Sequence, residues 1–132
     1  MNNEIYEEFT HWLDDLLENA DIPGNACAWC FNLYEESVED SVYAIQLIAA
    51  DEFDENDGEW ACSEVWSSEE NIFCIELSDE AEKDWKAALK IFSEMAEDYI
   101  RNGKYRAMLT DLKAVGIGFV DGDLEILLNN ER

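Results

Sequence analysis

Ile5, Phe9, Trp12, Leu13 and Leu16 recur at helical spacing, while Glu4, Glu7, Glu8, Asp14, Asp15 and Glu18 fall mostly on the other faces. This pattern predicts an amphipathic helix over residues 4–19. Pro23 and Gly24 then mark a turn. Four segments follow, residues 27–34, 42–50, 59–66 and 71–77, each rich in aromatic or β-branched side chains and bounded by polar clusters. They read as an antiparallel meander. Ser78 is placed to cap a second helix with Asp79, Glu80 and Glu82 in its first turn, where the positive end of the helix dipole favours them. Its apolar stripe runs through Trp85, Ala88, Leu89, Phe92, Met95, Ala96, Tyr99 and Ile100, and Asn102-Gly103 supplies the stop. Residues 105–113 extend the helical region by a turn or two. Asp121-Gly122 between two apolar runs predicts a terminal hairpin of residues 114–120 and 123–128. Its expected pairs are Phe119 with Leu124, Ile117 with Ile126 and Val115 with Leu128, giving one apolar face. Strands and helices do not alternate as a parallel sheet requires, so the expected class is α+β, in one domain spanning residues 1–132.

The third and fourth segments read as a hairpin about residues 67–69, with Glu64 opposite Ile72, Cys62 opposite Cys74 and Trp60 opposite Glu76. Strand side chains alternate between faces. One face then carries Ala61, Val65, Phe73, Ile75 and Leu77 and reads as core. The other carries Trp60, Cys62, Glu64, Trp66, Ile72, Cys74 and Glu76, a mixture of aromatics and carboxylates that a helix or a partner must cover.

Charge changes the picture more than any motif. The 132 residues include 33 Asp and Glu against 8 Lys and Arg, a formal charge of −25. Residues 1–82 hold 24 of those carboxylates and no Lys or Arg, whereas residues 83–132 hold 9 carboxylates and all 8 basic side chains. Nucleic acid is excluded as a direct ligand, because its phosphates need cations. Apolar residues at 48% and aromatics at 12% keep the chain on the folded side of the disorder boundary. Self-repulsion of this size costs stability, which points to a field used to attract a basic partner or to life at very high salt. The amino terminus lacks the basic and apolar regions of a secretory signal, and no run reaches membrane-spanning length, so the expected compartment is the cytoplasm, away from membranes.

Candidate chemistry is sparse. Cys27, Cys30, Cys62 and Cys74 could make a four-sulfur zinc set, but residues 27 and 30 of a strand point to opposite faces and the later two are isolated. They read as reduced, buried, inert thiols. Aligning Gly58 with the glycine of a calcium loop puts Phe53 at the first ligand position, so residues 51–59 do not make that site. His11 sits on a helix surface, and no nucleophile elbow, metalloprotease His pair or phosphate loop occurs. No cofactor, metal or catalytic residue is expected.

The small size, the acidic first two-thirds, the tryptophan-rich strands and the ending Gly-Phe-Val-Asp-Gly-Asp-Leu-Glu-Ile-Leu at 118–127 resemble the immunity proteins of bacterial polymorphic and contact-dependent toxin systems. That resemblance implies tight binding to a basic toxin, often a nuclease, by covering its active site or an adjacent surface. The charge distribution suits the same role independently, since carboxylates speed encounter with a cationic cleft and aromatics supply anchors. Two other readings are a nucleic-acid mimic that inhibits a host or phage-defence DNA-binding protein and, from another class, a small carboxylate-dependent enzyme. Among the acidic segments 35–40, 51–59 and 69–70, the second is the longest and densest, ends at Trp60 and adjoins the mixed face. The expected partner-binding residues are therefore Asp51, Glu52, Asp54, Glu55, Asp57, Glu59, Trp60, Glu64, Trp66 and Glu76.

Overall fold

A computed structural model describes residues 3–37, 39–77, 84–120, 122 and 124–130. Helix α1 spans Asn3–Asn19, followed by strands β1 (Ala28–Ser37) and β2 (Val42–Ala50), and a 3-10 turn at Gly58–Cys62. Strands β3 (Glu64–Ser67) and β4 (Phe73–Glu76), helices α2 (Trp85–Asn102) and α3 (Arg106–Thr110), and strands β5 (Ala114–Phe119) and β6 (Glu125–Asn129) complete the order. Asp84 starts α2, its side chain accepting from the Ala87 N–H at 3.0 Å, and the Gly103 N–H closes it on the Tyr99 carbonyl at 2.7 Å. The expected cap Ser78 and first-turn acids Asp79, Glu80 and Glu82, like Asp121 and Asp123 of the terminal turn, lie outside the described residues.

The class is α+β, and its sheet has six strands in the order β3-β2-β1-β5-β6, with β4 also on β2. The expected meander holds for β1 and β2, which pair antiparallel from Ala28 opposite Ala50 to Ser37 opposite Val42. It fails for the next two strands. β3 and β4 do not form a hairpin; both pair antiparallel with β2, β3 opposite residues 48–50 and β4 opposite residues 42–45. They are two pieces of one edge strand running alongside β2. Between them, five residues (68–72) face two (46 and 47), and the surplus is taken up by a turn in which Glu69 has φ 55° and Asn71 donates to the Ser68 carbonyl at 2.9 Å. Ser68 sews this interruption to the sheet: its N–H donates to the Leu47 carbonyl at 2.9 Å and its hydroxyl accepts from the Leu47 N–H at 3.2 Å. Lying along β2 satisfies the backbone of both pieces against a mostly buried strand, which a two-stranded ribbon would not.

The terminal hairpin also departs from expectation. β5 pairs parallel with β1, Ala28 opposite Ala114 through Leu33 opposite Phe119, which makes the sheet mixed. Val115 faces Leu128 as expected, but an irregularity at residues 115–116 moves Ile126 opposite Gly116 and brings Glu125 opposite Ile117. Leu124 and Ile126 thereby serve a different face from Leu127 and Leu128.

Two cores result, one on each face. The larger packs Trp29, Phe31, Leu33, Tyr43, Ile45, Leu47, Val115 and Ile117 beneath Phe9, Leu13 and Leu17 of α1 and Phe92, Met95 and Tyr99 of α2. The smaller joins Ala28, Cys30, Ile48, Ala50 and Ala114 to Trp60, with Phe53, Leu124 and Ile126 against it. Trp60 reaches the sheet because small residues stand below it. A Cβ at Gly116 would lie 3.1 Å from Trp60 Cζ2 and 3.4 Å from the Glu125 carbonyl oxygen. Gly116→Ala is expected to cost about 1–3 kcal/mol by overpacking, read as a lower urea midpoint. Gly24→Ala, where nothing lies within 4 Å of the added carbon, should be near neutral. Equal stability of the two variants would mean that Trp60 does not rest on this strand.

Candidate functional site

The acidic segment after β2 is a structured loop that folds back over the smaller core. Its base closes where the Asp51 N–H donates to the Ser63 carbonyl at 3.1 Å. Asp54 turns the chain, its carboxylate accepting from the Asn56 N–H at 2.9 Å and its carbonyl from the Asp57 N–H at 3.2 Å. Asp57 then caps the 3-10 turn by accepting from the Glu59 N–H at 3.1 Å. Phe53, the lone apolar side chain among the acids, packs edge-to-face on Trp60 with ring centroids 5.2 Å apart. Ser63 Oγ donates to Glu52, and Asn129 Nδ2 of β6 donates to Glu55 Oε2 at 2.9 Å.

These contacts pin the backbone while leaving all six carboxylates, Asp51, Glu52, Asp54, Glu55, Asp57 and Glu59, exposed. Four of them, Glu52, Asp54, Asp57 and Glu59, surround a depression of about 610 Å³ together with Phe53, Trp60, Cys62 and Ser63. A ring of carboxylates around aromatic carbon suits a cationic side chain with an aliphatic stem: the head meets charge and the stem meets carbon.

The other predicted site residues separate. Trp60 is 2% exposed and forms the support of the loop instead of a contact on its surface. The reason is the 3-10 turn, which replaces the expected strand at residues 59–62 and aims the indole at Gly116. Trp66 is on the opposite face, edge-to-face with Trp29 at 5.9 Å and part of the larger core. The interruption at residues 68–72 also carries Glu76 away: it pairs with Val42, whereas Glu64 pairs with Ala50. Eight residues along β2 separate them, about 26 Å at roughly 3.3 Å per residue. Glu64 stays near the loop, exposed and lining a neighbouring depression of about 430 Å³ with Cys62. Phe53 and Asn129 were not anticipated as supports. The isolated aromatic in an acidic run was the readable signal for the first; nothing local marks the second.

The cysteines divide likewise. Cys30 is buried, Cys27 intermediate, and Cys62 and Cys74 exposed, so the expectation that all four are buried is corrected by the turn and by the outward face of β4. Burial pushes the Cys30 thiol up to about 12, with the nearby Cys62 adding to it, while desolvation and then Glu36 raise that of Cys74. Among the described residues, no three of His, Cys, Asp and Glu come together in a group that could hold a metal ion, and no helix is long and apolar enough to cross a membrane. His11 is exposed on α1. Comparison with protein-family models, characterised proteins and solved structures gives no match.

Two outcomes follow from this geometry. Trp60→Ala should lose about 3–5 kcal/mol of stability, as a large core aromatic does, and thermal or urea unfolding measures it; a near-neutral result would return Trp60 to the surface. The folded state holds the Cys30 proton more tightly than the unfolded chain does. Stability from this group is therefore full below an ordinary thiol value of about 8.5 and is lost as pH rises toward 12, at up to about 1.4 kcal/mol per pH unit. Cys30→Ala should flatten that alkaline slope in denaturant midpoints taken between pH 8 and 11; an unchanged slope would show that the thiol does not carry it.

Proposed function

We propose that this chain is a cytoplasmic inhibitor that neutralises a basic protein, in keeping with an immunity protein for a bacterial toxin, a nuclease being the natural target for such a field. The observation that carries the reading is the loop at residues 51–59: six exposed carboxylates on a backbone held by caps and by an aromatic anchor. A pinned loop keeps its charges outward without ordering them anew at each encounter, which lowers the entropic cost of association. The cationic cleft that a nuclease needs for phosphate is the complement of such a surface, and filling it excludes substrate.

The genetic test is coexpression. The product of a neighbouring gene should arrest growth when expressed alone, and this chain should relieve the arrest; arrest that persists in its presence overturns the reading. With the toxin in hand, Asp54→Asn, Glu55→Gln and Asp57→Asn combined should slow association about tenfold at low salt while leaving folding nearly unchanged. Glu7, Glu8 and Glu18, exposed on α1, changed together to Gln remove the same charge elsewhere. Stopped-flow mixing of both variants decides: if the α1 variant slows as much as the loop variant, the loop has no special part in the encounter.

A further inference from the structure

A cavity lies beside Phe119 and Val120, at the end of β1 opposite the loop's base. It measures about 930 Å³ and is lined by three aromatic side chains, Tyr34, Trp85 and Phe119, with the carboxylates Glu35 and Glu125 and the single ammonium of Lys86. Trp85 is 48% exposed and Val120 62% exposed, the two large apolar side chains so placed among the described residues. Trp85 is nonetheless held in one orientation. It meets Phe119 edge-to-face at 6.0 Å, and Phe119 meets the buried Tyr43 in the same way at 6.1 Å. The indole is thus braced from the core while about half of its surface stays open. The chain's own Lys86 ammonium lies 5.7 Å from the Trp85 ring centroid, so a cation is already accommodated on this ring.

Glu35 and Glu125 are both exposed, and their charge favours a cationic occupant over an apolar one. A cation on a planar, delocalised head suits the aromatic and carboxylate walls, whose two negative charges outnumber the one Lys86 ammonium: guanidinium stacks on an indole face and its N–H groups reach carboxylates in the same plane. We propose that this groove receives an arginine side chain of the basic partner, a second point of attachment that rests on the reading of the protein as an inhibitor of such a partner. A third depression lies between the two sites. The 430 Å³ depression shares Cys62 with the acidic loop's depression and shares Phe119, Val120 and Gly122 with the aromatic groove. The loop then governs how fast the partner arrives, and the groove, with a desolvated aromatic anchor, governs how long it stays.

The test uses an acetylated, amidated hexa-arginine peptide, with calorimetry for affinity and the Trp85 indole N–H resonance as the local readout. Trp85→Leu keeps apolar bulk without a ring, and Trp85→Phe keeps a ring. The peptide should move the indole resonance, bind Trp85→Leu about three- to tenfold more weakly, and bind Trp85→Phe within about twofold of the parent. Glu35→Gln with Glu125→Gln should weaken it more than Glu7→Gln with Glu8→Gln, which removes equal charge. Circular dichroism confirms that each variant is folded. Parent-like binding by Trp85→Leu, or an unmoved indole resonance at saturation, overturns the proposal, as does sedimentation showing a dimer that Trp85→Leu dissolves. The loop variant separates the two readings. If it alone weakens binding, the groove is refuted and the loop stands; if Trp85→Leu alone does, the groove stands and the loop is refuted.

Discussion

Where residues 28–31 of β1 pair with residues 47–50 of β2 the sheet is apolar on both sides, and most of the structure follows from having to cover both. Along β1, Trp29, Phe31 and Leu33 point one way and Ala28 and Cys30 the other, all buried. The two helices account for the large side chains. The small ones on the reverse face need something thin and close, because a whole further layer packed at the usual distance of about 10 Å would leave Ala28, Ala50 and Gly116 facing a void. A loop carrying one indole fits that space. The acidic segment is therefore obliged to return over the sheet, and its charges are set in place by a packing requirement on its aromatic residues.

The absence of cations from the first 82 residues imposes a second constraint. α1 packs against α2 with carboxylates near the seam and no basic side chain of its own to offset them. The two helices exchange tyrosine–aspartate bonds instead. Tyr6 of α1 donates to Asp98 of α2, and Tyr99 of α2 donates to Asp14 of α1 at 2.6 Å while accepting from the Tyr105 N–H at 3.2 Å. Phenol donors satisfy a carboxylate without adding charge, and they keep their protons: burial first and the Asp14 bond second hold Tyr99 well above the ordinary phenol range. The acidity of the chain is thus compatible with a hydrogen-bonded seam between the helices, and the unbalanced field remains available at the surface.

Stability and recognition meet in Trp60 and Phe53. An acidic loop supported only by its own backbone would be driven apart by repulsion among six carboxylates spaced over nine residues. Seating its aromatic pair on the sheet offsets that repulsion with buried carbon, and the caps from Asp54 and Asp57 use two of the same carboxylates as structural acceptors. The aromatic groove applies a related arrangement at the far end of β1, where Phe119 links the exposed Trp85 to the core.

Periodicity determined what depends on neighbours along the chain. The helical stripe through Phe9, Leu13 and Leu16, the limits of β2, the stripe of α2 to Asn102-Gly103, and the α+β class are all legible because each follows from spacing within one segment. So is the exposure of the loop acids, since carboxylates remain in water unless something compels otherwise. What the tertiary structure decided is pairing. Residues 59–77 read as a hairpin and fold instead, from residue 64, as an interrupted edge strand, because alternation tells which side chains share a face of one strand and says nothing about which strand lies beside it. The choice belongs to β2, whose buried edge needs partners along its whole length. The same holds for the parallel docking of β5 on β1, a contact between segments more than eighty residues apart. Trp60 and Trp66 show the consequence most plainly: even spacing places them on one face of a strand, but a 3-10 turn before Ser63 sends one indole to each side of the sheet, and only the shape of the space above Gly116 required it.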